Sequence, residues 1–167
     1  MAAKRNLFLL LFFAYLTGFY LFIAWNPIND KVIVPYTRSL ARVAAAVLSS
    51  IGTPSVCNGT TITSARFAVD VNNGCNGVEA LLILVASILA FPASAKARAL
   101  GIVAGSILIE VLNEIRIVTL VLMGIYNPRL FQIFHTAVWQ ILLILVTVAF
   151  FIVWSGKLAR PELAHSD

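Results

Sequence analysis

The sequence predicts an all-α, polytopic membrane protein with about four transmembrane helices, an outer interfacial helix and a small extramembrane β element. Three observations carry that prediction. The chain is 60% hydrophobic and only 11% charged, whereas a soluble domain is about half apolar and about a quarter charged. Its mean hydropathy is +0.95, so water is not its main solvent. Its long uncharged runs are separated by short turns, with basic residues close to the ends of the runs. The 167 residues fit a single membrane-embedded domain. The net charge of +5 comes from scattered Lys and Arg with no dense run. Membrane topology accounts for it, so lipid is expected around the chain and nucleic acid is not.

Residues 7–25 carry no charge and follow Lys4 and Arg5. A run of this length spans the hydrocarbon, which takes roughly 20 helical residues. It is longer than a signal-peptide apolar region of roughly 7–15 residues, and no A-x-A site follows it, so an uncleaved first span is expected. The turn formers Asn26, Pro27 and Asn29 end it. Residues 32–51 are helical in pattern, with Arg38 and Arg42 four apart on one face opposite Ala, Val and Leu. This reads as an amphipathic helix at the interface, a further span being the alternative. Residues 52–74 change character. Asn58-Gly59 is a hairpin-turn signal, and Phe67, Val69 and Val71 alternate onto one face of a strand. Irregular backbone does not survive in lipid, so 52–74 reads as a small extramembrane β element, and the 26–75 segment is assigned to the outer side.

The second span, 76–91, is short and ends at Pro92. A basic turn with Lys96 and Arg98 leads to the third span, 99–125, which carries Glu110, Asn113, Glu114 and Arg116. After the Asn127-Pro128-Arg129 turn comes the last span, 136–154, followed by Lys157 and Arg160. Four spans put both termini on one side, together with Lys4, Arg5, Lys96, Arg98, Lys157 and Arg160. The other side holds Lys31, Arg38, Arg42, Arg66 and Arg129. The short loop and the flanks decide the orientation, because long segments count for less, and they make both termini cytoplasmic.

That topology brings Cys75, Arg116 and His135, distant in sequence, to one depth at the outer face. Together they suit acyl transfer: a thiolate attacks a carbonyl, an imidazole manages protons and a guanidinium orients the substrate or steadies an oxyanion. Cys75 lies in Asn73-Gly74-Cys75-Asn76-Gly77, just before a helix. Amides at a helix start favour an anion and lower a thiol pKa. A disulfide with Cys57 is the competing role in an oxidising compartment, and an inert buried thiol is a third. Arg116 is an ionisable group within an apolar span, which marks function by default. Its structural alternative is a pair with Glu110 or Glu114 that knits helices together. His135 is equally readable as an interfacial residue like Trp139, and His165 as part of a solvated polar tail. Gly101-x-x-x-Gly105 permits close helix packing. Neither a CxxC nor a Cys/His cluster is present, so no metal and no cofactor are expected.

The stretch Val69-Asp70-Val71-Asn72-Asn73-Gly74-Cys75-Asn76-Gly77-Val78, then Asn113-Glu114-Ile115-Arg116-Ile117, then Phe134-His135-Thr136, resembles the exosortase/archaeosortase family over roughly residues 35–155. In its compactness the chain looks more like the H-type group. The resemblance implies that Cys75 is the nucleophile, His135 the proton-transfer residue and Arg116 the third essential member, with Asn113, Asn76 and Glu79 as supporting or substrate-binding residues. It implies a cysteine transpeptidase or protease of the bacterial inner membrane, with its active site at the periplasmic face. Its partners would be exported proteins that end in a short motif, a transmembrane helix and a basic tail, and an acceptor nucleophile of unknown identity. The competing functions are a non-enzymatic scaffold, a small transporter subunit using the polar residues of the third span, and a thiol-redox protein using both cysteines.

Overall fold

The computed structural model describes residues 2–64 and 66–159; Arg160 and His165 lie outside them. The chain is mostly helical, with one small sheet. Helix α1, Ala2–Ala24, is followed by a short turn of helix, α2, Asn26–Ile28. A π-helical stretch, Asn29–Ile33, then runs directly into α3, Val34–Ser50. Strands β1 (Ser55–Asn58), β2 (Thr61–Ser64) and β3 (Ala68–Asp70) form an antiparallel sheet in that order. Then come α4 (Val78–Ala90), α5 (Ala95–Tyr126), α6 (Pro128–Ile133), a π-helical turn Phe134–Val138, and α7 (Trp139–Trp154), extended by the π-helical Ser155–Ala159.

The boundaries follow from local chemistry. Ser94 caps α5 by accepting from the Ala97 amide at 3.2 Å. Asn127 leaves α5 in an extended conformation, and its side chain caps α6 by accepting from the amides of Arg129 and Leu130. Pro128 sits where a helix lacks an internal partner for its first amides anyway. The hairpin expected from Asn58-Gly59 forms one residue later. Asn58 pairs with Thr61, and the two turn residues are Gly59 and Thr60. Gly59 alone has a positive φ, +66°, which puts glycine at the first central position of the turn, as a type II′ connection requires.

Among the described residues three helical stretches are long and apolar enough to cross a membrane: Ala3–Ala24, Asn26–Ser50 and Pro128–Lys157. The expected second span is shorter than the sequence reading, because α4 begins only at Val78 and runs 13 residues, about 20 Å at 1.5 Å per residue. Helix α5 is much longer: its 32 residues extend about 48 Å, beyond the roughly 30 Å of a hydrocarbon core. Helix α3 is amphipathic as expected. It buries Thr37, Leu40, Ala41, Ala44, Ala45 and Leu48, while Arg38 and Arg42 stay exposed.

Two cores divide the molecule along α5. Near its start, Ala80, Leu84 and Ile88 of α4 pack with Ala97 and Ile109 of α5 and Leu143 and Trp154 of α7. Gly101 and Gly105 make this contact close: a Cβ at Gly101 would land on the Trp154 indole, and one at Gly105 on Leu84 and Phe150. Along its later half, Leu40, Ala41, Ala44 and Leu48 of α3 pack with Ile62 of β2, Val71, and Ile117 and Val121 of α5. The loop carrying Cys75 lies where the two cores meet.

Candidate active site

Residues 73–77 leave the sheet and turn into α4 through two glycines in the left-handed region, Gly74 at φ +89° and Gly77 at φ +78°. A side chain at either is strained in that conformation, and a Cβ at Gly77 would stand 3.0 Å from the Asn113 side chain. The turn they make presents Cys75, half-buried, between α5 and the π-helical turn before α7.

Three elements converge on its sulfur. Arg116, on α5 and 2% exposed, donates Nη2–H to the Gly74 carbonyl at 3.2 Å and reaches Cys75 Sγ at 3.7 Å. His135 lies with Nδ1 at 3.6 Å and Nε2 at 3.8 Å from the same sulfur. Near-equal distances leave the sulfur about equally far from the two ring nitrogens. His135 is held by stacking. The Phe131 ring lies 5.3 Å from it at an interplanar angle of 7°, and Phe67 packs edge-on to Phe131 at 5.0 Å. The π-helical turn over Phe134–Val138 shifts the helical register at His135, a device common at functional sites.

The supporting residues gather at the same loop. Glu79 accepts from the Gly74 amide at 2.9 Å. Asn76 is fully buried; its amide donates to Thr37 Oγ1 at 2.9 Å and to Asn73 Oδ1 at 3.1 Å, and its side-chain oxygen accepts from the Val78 amide at 3.2 Å. Asn113 is also fully buried, beneath Gly77, with neither polar atom of its side chain hydrogen-bonded.

These contacts bear on three readings that the sequence left open. The charge on Arg116 turns to the Cys75 loop rather than to the glutamates of its own helix. Glu110 bonds the Tyr36 hydroxyl, and both oxygens of Glu114 are buried without a partner. At the start of α4 the Asn76 side chain takes the Val78 amide. Burial pushes the Cys75 thiol above its ordinary value; Arg116 pulls it down, and Glu79 pushes it up further. Lastly, Cys57 and Cys75 are both free thiols. Cys57 lies on β1, with its thiol directed to the Gly59 carbonyl at 3.4 Å.

A small apolar cleft beside Cys75 and His135 is walled by Val69, Val71, Ile117 and Leu120. On the other side of the loop, Tyr20, Glu79, Arg116 and Gln140 line a larger cavity of about 190 Å³. Among the described residues no group of three or more His, Cys, Asp and Glu side chains is placed to hold a metal ion.

Residues 1–160 match the family described as transmembrane exosortase (Exosortase_EpsH). The chain belongs to the transmembrane exosortase family. No curated protein and no solved structure matches it. Exosortase membership, with the apolar helices, makes this a multi-pass membrane protein and points to a membrane transpeptidase of sorting signals. Sequence reasoning on this exosortase missed Tyr36 and Thr37, which grip the Cys75 loop from α3, and Phe131, which stacks on the imidazole. Only the helical spacing of Phe131 and His135, four apart, was there to be read.

Proposed function

We propose that this exosortase is a cysteine transpeptidase that cleaves the C-terminal sorting signal of exported proteins and passes the new carboxyl end to an acceptor. The observation that carries the proposal is the meeting of Arg116 Nη2 and both ring nitrogens of His135 within 3.8 Å of Cys75 Sγ, from two helical elements that each lie far from Cys75 in the chain. The thiol proton passes to His135. The thiolate attacks the scissile carbonyl, forming a C–S bond, and the C–N bond breaks as the imidazolium returns its proton to the departing amine. An acceptor amine or hydroxyl, or water, then attacks the thioester, giving its proton to His135 and releasing the thiol. Arg116 lowers the cost of the thiolate in a half-buried site and supplies donors to the oxyanion; its Nε is buried with no partner in the protein. The Gly74 amide is taken by Glu79 and is not free for that task.

In this reading α1, α4, α5 and α7 cross the membrane, both termini are cytoplasmic, and α3 and the sheet pack on the part of α5 that stands clear of the bilayer at the periplasmic face. Gly77 meets Asn113, which sets the start of α4 level with the middle of α5. Arg116 then stands at the outer interface rather than in the hydrocarbon, which removes most of the cost of a charge in a span. Reporters fused after residue 167 and within 93–98 should read cytoplasmic; a periplasmic signal from either reverses the topology.

The activity is tested in the native host by comparing membrane proteomes of strains carrying the parent chain, Cys75→Ala and Cys57→Ala. With Cys75→Ala, exported proteins should accumulate with their C-terminal helix and basic tail still attached, while the variant itself persists in the membrane. Cys57→Ala should retain processing. Unaltered processing by Cys75→Ala rejects the nucleophile, and equal total loss in both variants points instead to a redox pair.

A further inference from the structure

The nucleophile loop is gripped from α3 as well as from α5, and the α3 grip has an unusual proton count. The Tyr36 hydroxyl lies 3.2 Å from the Asn76 carbonyl oxygen and also bonds a carboxyl oxygen of Glu110. A phenol has one proton, a backbone carbonyl only accepts, and an ionised carboxylate only accepts. With Glu110 ionised, one of the two contacts would set lone pair against lone pair. Both are satisfied at once when the carboxyl carries a proton: Glu110 donates to the Tyr36 oxygen, and Tyr36 donates to Asn76 O.

The surroundings favour that arrangement. Arg116, six residues on, is turned to Gly74 and Cys75. Glu114, one helical turn from Glu110, is itself buried at both oxygens with no hydrogen bond. On α3 the cations Arg38 and Arg42 lie on the exposed face, opposite the buried Thr37 and Leu40. From α4 the charged group nearest the loop is the Glu79 carboxylate, bound to the Gly74 amide. A second carboxylate charge at Glu110 would thus stand among acids, with its neighbouring guanidinium engaged elsewhere.

We infer that Tyr36 is a positioning residue for the nucleophile, and that it acts through a hydrogen-bond chain from a protonated Glu110 to the Asn76 carbonyl. That carbonyl belongs to the Asn76–Gly77 peptide plane, the second after Cys75, and leads into the left-handed Gly77. Thr37, the next residue of α3, holds the Asn76 side chain at 2.9 Å. Tyr36 and Thr37 together fix both the backbone and the side chain of the residue after the nucleophile. Arg116 fixes the residue before it, through Gly74 O. Cys75 is thereby suspended between two anchored residues, with its sulfur facing His135.

The consequence for processing rests on the proposed role of Cys75, but the arrangement itself does not, and the test separates them. The full chain is purified in detergent as the parent, Glu110→Gln and Tyr36→Phe. The infrared difference between parent and Glu110→Gln should show the loss of one carboxylic-acid carbonyl band. Glutamine still donates to Tyr36, so alkylation of Cys75 by iodoacetamide should stay within about twofold of the parent. Tyr36→Phe keeps the ring and removes the link. It should raise Cys75 alkylation about tenfold, the size of one lost net hydrogen bond, and lower processing by a similar factor. Cys57, on β1, reports on the fold in the same sample, and its alkylation should not change. Absence of the acid band overturns the inference. So does Tyr36→Phe alkylating at the parental rate, or a rise shared equally by Cys57. Should Cys75→Ala retain processing, the nucleophile assignment falls, while the band and the selective rise at Cys75 still establish the Glu110–Tyr36–Asn76 chain.

Discussion

The two ends of α5 are built on different principles. At its start the helix is held by shape. Gly101 and Gly105 admit Trp154, Leu84 and Phe150, and one polar contact, the Trp154 indole to the Ala97 carbonyl at 3.1 Å, ties the packing off. In its later half Ile117 and Val121 pack on α3 and β2, and directional contacts are added: Glu110 bonds the Tyr36 hydroxyl, Arg116 donates to the Gly74 carbonyl, and Asn113 lies beneath Gly77. Packing of the first kind tolerates motion of a few tenths of an ångström and has no chemistry to lose. Hydrogen bonding of the second kind is directional, and it places a sulfur, an imidazole and a guanidinium within one another's reach. Damage to the first end should therefore appear as lost stability, and damage to the second as lost activity in a folded protein.

The largest expected effect is on activity. Arg116→Lys keeps the charge but not the planar fork of donors. It should accumulate in the membrane with an unchanged detergent melting temperature. Processing should fall roughly a hundred- to a thousandfold, the usual cost of one oxyanion donor. Normal cleavage by the folded variant would mean that a point charge suffices.

Next is Gly101→Ala, which strikes the other end. The added methyl meets the Trp154 indole ring, and overpacking of this kind costs about 1–3 kcal/mol. The melting temperature should drop, while the alkylation rate of Cys75 well below that temperature stays parental. An altered Cys75 rate without a loss of stability would show that the two ends are coupled, contrary to the comparison.

A smaller effect is expected for Phe131→Leu. It removes the ring stacked on His135, an aromatic pairing worth about 0.5–1.5 kcal/mol, and should slow processing several-fold with little change in stability. No loss of rate would place the orientation of His135 in the π-helical turn alone.

The smallest is a displacement of a pH profile. Because burial raises the Cys75 thiol, its alkylation by a neutral reagent should increase with pH, with a midpoint above the ordinary value of about 8.5. Arg116 opposes that rise, so Arg116→Gln should move the midpoint further up. A downward move would show that the guanidinium does not stabilise the thiolate.

Much of the candidate site was legible, for a physical reason in each case. Cys75, Arg116 and His135 stood out because reactive side chains are scarce in so apolar a chain. A four-span topology carried them to one level without any knowledge of packing. Asn76 and Glu79 came only from the family resemblance, and the structure attaches both to the loop around Cys75. Less legible was the partner of Arg116. On a helix, Glu110 and Glu114 are close enough in sequence to suggest an internal pair, yet they project toward α3 while Arg116 reaches the loop. Tyr36 gave no signal at all, since a tyrosine in an amphipathic helix reads as ordinary interfacial bulk.

By itself the sequence determined the solvent of this protein, its helical periodicity, the hairpin that follows α3 and the rarity of its reactive groups. Those properties are local or compositional: hydrophobic run length, residue spacing and turn residues are fixed before any two elements meet. Tertiary structure alone decided that α4 is short and α5 long, that His135 sits in a π-helical turn, that Cys57 and Cys75 are unpaired, and that Tyr36 and Thr37 reach across from α3 to hold Asn76. Tyr36 and Asn76 are forty residues apart. Hydrogen bonds between them depend on the relative placement of α3, the loop and α5, which side-chain packing of the whole outer core sets and no local pattern encodes.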